Sequence, residues 1–143
     1  MVQISAGQEV EVSADLGVKP EVRLPGGEPP RELVVADVVA GSGVAATAGD
    51  AVSVQYAGFS WSTGAQFDAS WDRGATPFPV TPLGSAPVIQ GWNDGLEGAR
   101  VGGRRLLVIP PASGYGAAGI GGVIAPNETL VFVVDVVGIN GRS

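Results

Sequence analysis

Short apolar runs separated by turn residues make up most of this chain. The longer runs are rich in Val, Leu or Ile and are bounded by Gly, Pro or Asp, which is typical of β-strands. They predict four strands, over residues 33–39, 51–59, 104–109 and 129–139. Two shorter strands are predicted over 67–70 and 78–81.

The last predicted strand has two different faces. Alternate residues of a strand point to the same side, so its large apolar side chains share one face. They are Leu130, Phe132, Val134 and Val136. Asp135 stands among valines on the other face. We therefore expect one face to join the core and the other to be partly exposed to water.

A single segment has apolar residues at helical spacing, at i, i+3, i+7 and i+10. These residues are Ile89, Trp92, Leu96 and Ala99. Pro87 suits a turn that enters the helix. Glycines at 91, 95 and 98 each weaken a helix by up to about 1 kcal/mol relative to Ala. The helix therefore needs a sheet beneath it.

Several strands and one helix predict an α+β fold, in which a twisted antiparallel sheet forms a half-barrel around one short amphipathic helix. The first thirty residues contain many prolines and glycines, so we expect residues 1–30 to form an extended N-terminal arm. Val10 and Val12 are candidates for an edge strand in that arm. Residues 31–143 would form one domain.

The composition excludes several kinds of chemistry. The 143 residues include no cysteine and no histidine, which removes disulfides, thiolate nucleophiles, the usual zinc ligands and the usual general base. The net charge of −6 disfavours nucleic acid or an anionic membrane as the main partner. No apolar run approaches the ~20 residues of a membrane span, and the start lacks the features of a signal peptide. We expect a cytoplasmic protein.

The candidate chemistry is sparse. Asp68 and Asp72 form a pair of carboxylates suited to acid–base catalysis, but Arg73 lies beside them and a structural ion pair is the commoner arrangement. The more unusual feature is a set of aromatic residues spread over different predicted elements. These are Tyr56, Phe67, Phe78, Trp92, Tyr115 and Phe132. They either fill the core or converge on a concavity.

Six short motifs, in order and suitably spaced, resemble the successive signatures of FKBP-type prolyl isomerases. They are Val54-Gln55-Tyr56-Ala57-Gly58, Gln66-Phe67-Asp68-Ala69-Ser70, Val88-Ile89-Gln90-Gly91-Trp92, Val101-Gly102-Gly103-Arg104, Tyr115-Gly116 and Leu130-Val131-Phe132. The similarity covers roughly residues 30 to 140. Other runs, including the one from Phe59 to Gly64, resemble a small bacterial branch of the family with a single domain.

The resemblance implies a pocket. Carried over position by position, its lining would comprise Tyr56, Phe67, Asp68, Phe78, Val88, Ile89, Trp92, Tyr115, Ile124 and Phe132. Trp92 would be the floor. The backbone N–H of Ile89 and the hydroxyl of Tyr115 would bind ligand carbonyls, while Asp68 would lie at the rim, held by Tyr56 or Arg73. No metal and no cofactor are implied.

The function implied is cis–trans isomerisation of the peptide bond before proline, without covalent catalysis, in the service of protein folding. Proline-containing peptides and unfolded chains would be the substrates, and macrolides of the FK type would be further ligands of a monomeric protein. An alternative is a binding module that holds a proline segment or a macrolide without turning it over.

Overall fold

A computed structural model describes residues 2–5 and 7–142. Its core is one antiparallel sheet of six strands: β4 (Val34–Val39), β5 (Val52–Ser60), β6 (Gln66–Ala69), β7 (Phe78–Val80), β8 (Arg104–Ile109) and β9 (Leu130–Ile139). The order across the sheet is β4, β8, β9, β5 and β6, and β7 also pairs with β5. The predicted strands are present, with their ends shifted by no more than one residue, and the α+β class is confirmed.

Strands β6 and β7 share one edge of β5. β7 pairs with residues 52–54 of β5, whereas β6 pairs with residues 57–59. The connection between them therefore leaves the sheet and returns to it. It includes a 3₁₀ turn, Ser70–Arg73, which ends at Gly74 in the left-handed region at φ 74°. This connection carries polar side chains to the concave side of the sheet.

Helix α1 (Gln90–Gly95) crosses the concave face of the sheet and is shorter than predicted, because Leu96 and Ala99 lie beyond its end while still buried in the core. Its glycines allow close packing. A Cβ on Gly91 would lie 2.6 Å from Cγ2 of Ile109, and one on Gly95 would lie 2.6 Å from Cδ2 of Leu107. The glycines that weaken the helix in the sequence are therefore the residues that let it pack closely against β8.

The N-terminal residues form a second, three-stranded antiparallel sheet of β1 (Val2–Ser5), β2 (Gln8–Val12) and β3 (Val22–Arg23). Val10 and Val12 lie in its middle strand rather than at an edge. Val10 and Val12 are buried against Val131 and Val133 of β9 in a second hydrophobic core. The expectation that this face of β9 is partly exposed was wrong, because the N-terminal sheet covers it.

A buried ion pair holds the N-terminal residues against the central sheet. Arg104 on β8, with no exposed side-chain surface, donates to both carboxylate oxygens of Asp135 on β9, at 2.7 and 2.9 Å. It also donates to the backbone carbonyls of Ser13, Asp15 and Val18 at 2.6 to 3.2 Å. The guanidinium and the carboxylate are thus both hydrogen-bonded, as buried charges must be.

Across residues 2–5 and 7–142, every helix is too short and too polar to cross a membrane.

Candidate functional site

A cleft of about 270 Å³ opens on the concave side of the six-stranded sheet, where α1 meets β5 and β9. Four strands, the segment that enters α1, α1 itself and the connection from β8 to β9 each contribute side chains. Its lining consists of Tyr56, Phe67, Asp68, Phe78, Pro87, Val88, Ile89, Trp92, Tyr115 and Phe132. The cleft is therefore apolar and aromatic apart from one carboxylate and two phenols.

Trp92 forms the floor. Its ring lies 5.0 Å from that of Tyr56, 5.2 Å from Phe132 and 5.9 Å from Phe78 between centroids, each pair nearly perpendicular. Such edge-to-face contacts are the favoured geometry of aromatic pairs and add about 0.5–1.5 kcal/mol each. Trp92 is 4% exposed, so its indole forms the bottom of a preformed hollow that remains open above it.

Gly58 makes room for the outer wall of the cleft. A Cβ at this position would lie 2.6 Å from Cε1 of Phe132 and 2.8 Å from Cζ of Phe67. Those two rings meet edge to face, 5.5 Å apart. Gly58 belongs to one of the sequence motifs, but its packing role became visible only once β5, β6 and β9 were placed side by side.

The polar rim is a triad of Tyr56, Asp68 and Arg73. The Tyr56 hydroxyl donates to Oδ2 of Asp68 at 2.7 Å and accepts from Nη2 of Arg73 at 2.6 Å. Arg73 also donates from Nη1 to Oδ1 of Asp68. Asp68 is held by both candidate partners, and the second carboxylate, Asp72, pairs instead with Lys19 at 2.9 Å.

The protonation of the triad follows from these contacts. Partial burial acts to raise the pKa of Asp68, but hydrogen bonds from Tyr56 and Arg73 outweigh it, so the pKa lies below its ordinary value. Burial and the neighbouring carboxylate raise the pKa of Tyr56. Burial, and then the charge of Asp68, raise that of Tyr115. Near neutral pH the site holds one carboxylate, one guanidinium and two neutral phenols.

Three hydrogen-bond donors at the cleft have no protein acceptor among the described residues. They are the backbone N–H of Ile89, at the entry to α1, the hydroxyl of Tyr115, which is 38% exposed, and the buried Nε1 of Trp92. Donors such as the Ile89 amide and the Tyr115 hydroxyl are available to carbonyl oxygens of a bound chain.

Asn93 positions the segment that leads to Ile89. Its side chain is 4% exposed; Oδ1 accepts from the amides of Gly84 and Ala86 at 2.9 and 3.0 Å, and Nδ2 donates to the carbonyl of Ala86 at 3.1 Å. The sequence carried a signal for this role, since Asn93 lies three residues before Leu96 and so on the apolar face of the helix. A polar residue there must find partners.

The structure brings nine of the ten predicted site residues to the cleft. The tenth, Ile124, lies apart from the lining. It is 4% exposed in the main core and pairs with Ile120 across a short bridge. Pro87 lines the cleft and was missed as a site residue, because the sequence indicated only its place in the turn before the helix. Within residues 2–5 and 7–142, no cluster of acidic side chains could hold a metal ion.

Comparisons with known proteins agree on one family. Residues 43–137 match the sequence profile of the family described as FKBP-type peptidyl-prolyl cis-trans isomerase. The FK506-binding protein of Streptomyces anulatus is 53% identical over 85% of this chain and 97% of its own. The probable FK506-binding protein of Corynebacterium glutamicum is 44% identical over 83% of this chain and 97% of its own.

Solved structures agree with these sequences. The crystal structure of AtFKBP13 superposes with a TM-score of 0.67 at 32% identity, covering 74% of this chain and 91% of that one. FkpA from Escherichia coli gives a TM-score of 0.66 at 42% identity, covering 75% of this chain and 47% of that one.

Proposed function

The chain belongs to the family of FKBP-type peptidyl-prolyl cis-trans isomerases, and from that premise we propose that it isomerises Xaa-Pro bonds of peptides and unfolded chains in its aromatic cleft. The observation that carries the proposal is the convergence of three rings, Tyr56, Phe78 and Phe132, around Trp92, with the unpaired Ile89 amide and Tyr115 hydroxyl in the same cleft. A prolyl ring is apolar and flat enough to rest on the indole. Its flanking carbonyls are the acceptors that the donors require.

The barrier to be lowered is roughly 18–20 kcal/mol, because rotation about the amide breaks its resonance. In the twisted state the carbonyl and the nitrogen lose conjugation, so that state is less polar than the planar amide. An apolar cleft binds the twisted form better than the planar one, and only such differential binding accelerates a reaction. A preference of about 7–8 kcal/mol would give five to six orders of magnitude in rate.

Each polar group then has a positioning task. The Ile89 amide and the Tyr115 hydroxyl hold the carbonyls on either side of the proline and restrict the peptide to a turn. Asp68 lies at the rim with its charge balanced by Arg73, so it orients the twisting amide without any proton transfer. No covalent step is required.

The test is the rate of cis–trans exchange in a tetrapeptide, measured with a coupled protease. We expect the observed rate to rise in proportion to protein concentration. Trp92→Leu should lower kcat/KM at least tenfold, since the floor that binds the prolyl ring is lost. An unchanged slow rate at high protein concentration would refute the proposal.

Trp61→Leu is the matched control. Trp61 is as buried as Trp92, at 5% exposed, but belongs to the second core on the opposite face of the sheet. Both substitutions remove an indole from a packed interior, at a cost somewhat below the about 3–5 kcal/mol of a Trp→Ala change. We expect both to lower stability and only Trp92→Leu to lower kcat/KM.

A binding module is the second candidate, since the relatives are named for binding FK506. We propose that a macrolide of this type occupies the same cleft and quenches Trp92 fluorescence. Titration with FK506 separates the two functions: an isomerase loses its activity in step with the quenching, whereas a module shows the quenching with no activity to lose.

A further inference from the structure

The 3₁₀ turn Ser70–Arg73, called here the Arg73 turn, connects the cleft with the N-terminal arm. From its last residue, Arg73 reaches Asp68 and Tyr56 in the cleft. From the residue before, Asp72 accepts two hydrogen bonds from Nζ of Lys19 in the arm, at 2.9 and 3.0 Å. Two adjacent side chains thus tie the site to a segment more than fifty residues away in sequence.

The two ends of the Arg73 turn are held differently. Ser70, 1% exposed, accepts from the amide of Tyr56 at 2.8 Å and donates to Oε1 of the buried Gln55 at 2.6 Å. At the outer end the Asp72 and Arg73 side chains are 52% and 55% exposed. Besides Lys19, one side chain among the described residues, Gln66, bonds to Asp72, at 2.8 Å. The outer end is therefore held partly by the arm, through Lys19, and partly by β6, through Gln66.

The backbone next to Lys19 is held in place by a buried residue. The carbonyl of Val18, its neighbour, accepts from Nη2 of the buried Arg104 at 2.9 Å. Trp71 of the Arg73 turn packs on the second core that the arm covers, and it lines a cleft of about 240 Å³ together with Leu16 and Gly17 of the arm. The arm thus presents its ammonium to Asp72 from a backbone that is anchored next to it.

We propose that Lys19 is a positioning residue for the site: by holding Asp72 it fixes the outer end of the Arg73 turn and keeps Arg73 on Asp68 and Tyr56. The arm thereby takes part in shaping the cleft without touching it. The proposal rests on the proposed function, because the geometry that Lys19 maintains is that of the isomerase rim.

The size of the effect follows from the exposure of the pair. Exposed ion pairs contribute little to stability, and the rate can change by no more than the energy of the contact, so Lys19→Met should lower kcat/KM about two- to fivefold. The melting temperature should hardly change. A loss of activity without a loss of stability is what distinguishes positioning from a merely structural role.

The test follows the tyrosines as well as the rate. The chain has two, Tyr56 and Tyr115, and both line the cleft, so tyrosine labelled with ¹³C at Cζ gives two titrating signals. Contact with Arg73 acts to lower the pKa of Tyr56, so its pKa should rise in Lys19→Met. Asp72→Asn should give the same result, and Lys19→Arg should restore both the rate and the titration.

Arg23→Met is the matched control, because Arg23 forms an exposed pair with Glu11 at 3.6 Å within the arm and, among the described residues, makes no ion pair with the Arg73 turn. If Lys19→Met matches Arg23→Met in both kcat/KM and Tyr56 titration, the positioning role is refuted. If the wild-type protein shows no isomerase activity but Tyr56 still shifts in Lys19→Met, the positioning of Arg73 stands and the proposed function fails.

Discussion

The two faces of the central sheet are built from the same strands but differ in what they do: one forms an open cleft and the other a closed core. On the concave face, Tyr56 and Phe132 border a cleft that opens to water and leaves donors without a protein acceptor. On the reverse face, Val131 and Val133 are fully buried beneath the N-terminal sheet, and Arg104 and Asp135 satisfy each other. Neighbouring residues of β9 thus differ in role: Phe132 lines the cleft, whereas Val131 and Val133 pack in the second core.

The difference shows how a rigid site can remain open. Side chains that line an open cleft have neighbours on one side only, so packing within the cleft does not hold its walls in place. The rigidity of the walls must come from another part of the molecule. The reverse face supplies it, since a second dry core holds β5, β8 and β9 from behind. Substitutions on the reverse face should therefore affect stability, and those on the concave face should affect activity first.

The largest effect is expected on the reverse face, from Arg104→Met. Removing the guanidinium leaves Asp135 buried without its partner and three arm carbonyls without their donor. Breaking a buried pair from one side costs about 3–5 kcal/mol. Urea unfolding should show this loss, while kcat/KM of the protein that remains folded falls no further than in Lys19→Met.

The double variant Arg104→Met with Asp135→Leu is the control for that prediction. It removes the orphaned carboxylate, so it should recover part of the lost stability. Equal stability of the single and double variants would show that the burial of Asp135 is not what makes the single change costly. A loss of activity as large as the loss of stability would contradict the division between the two faces.

A smaller effect is expected on the concave face, from Gly58→Ala. The added methyl overlaps the rings of Phe67 and Phe132, and overpacking of this kind costs about 1–3 kcal/mol. Because these rings form the wall of the cleft, kcat/KM should fall about tenfold even at temperatures where the protein remains folded. The peptide assay and thermal unfolding on the same samples measure both.

Gly121→Ala is the control for Gly58→Ala. A Cβ on Gly121 would meet no atom within 4 Å, so neither stability nor kcat/KM should change. If Gly58→Ala were destabilised but fully active, the precise placement of the two phenylalanine rings would be unimportant for turnover.

The smallest effect is expected from pH. The lowered pKa of Asp68 means that its contribution to stability is present above its ordinary pKa and lost only as pH falls through the folded value. The raised pKa of Tyr56 means that the contribution of the neutral phenol is present below its ordinary pKa and lost only as pH rises through the folded value. Between about pH 5 and 9 kcat/KM should therefore be flat.

Exchange NMR on an Xaa-Pro peptide measures this profile without a coupling protease, whose own activity varies with pH. A bell-shaped dependence near neutral pH would mean that a proton is transferred in the rate-limiting step. The concave face would then be an acid–base site instead of an apolar one.

Most of the site could be predicted from the sequence because its residues lie in short motifs of fixed spacing. The motif around Trp92 places Val88, Ile89 and the indole within one turn of chain, and the motif around Asp68 places Phe67 beside it. Ile124 lies instead in the connection from β8 to β9, where no regular spacing determines the direction of a side chain. It is buried in the same core cluster as Trp92, but it is not among the residues that line the cleft.

The packing of the glycines could not be predicted in the same way. Along the chain, Gly91 and Gly95 indicate only a weakened helix, because propensity is a property of one residue and its neighbours in sequence. Their contribution to packing depends on Ile109 and Leu107 of β8, whose side chains lie where a Cβ would otherwise be. The end of α1 was misplaced for a related reason: Leu96 and Ala99 keep their apolar spacing beyond the helix because they still face the core.

By itself, the sequence determined the family, the strands, the single helix and the identity of most cleft residues, since alternation, spacing and motif order are local properties. Tertiary structure alone decided that both faces of β9 are buried, that Arg104 fastens the arm and that Lys19 reaches the Arg73 turn. The physical reason is that alternation shows which side chains share a face of a strand, while what covers that face comes from residues far away in the chain.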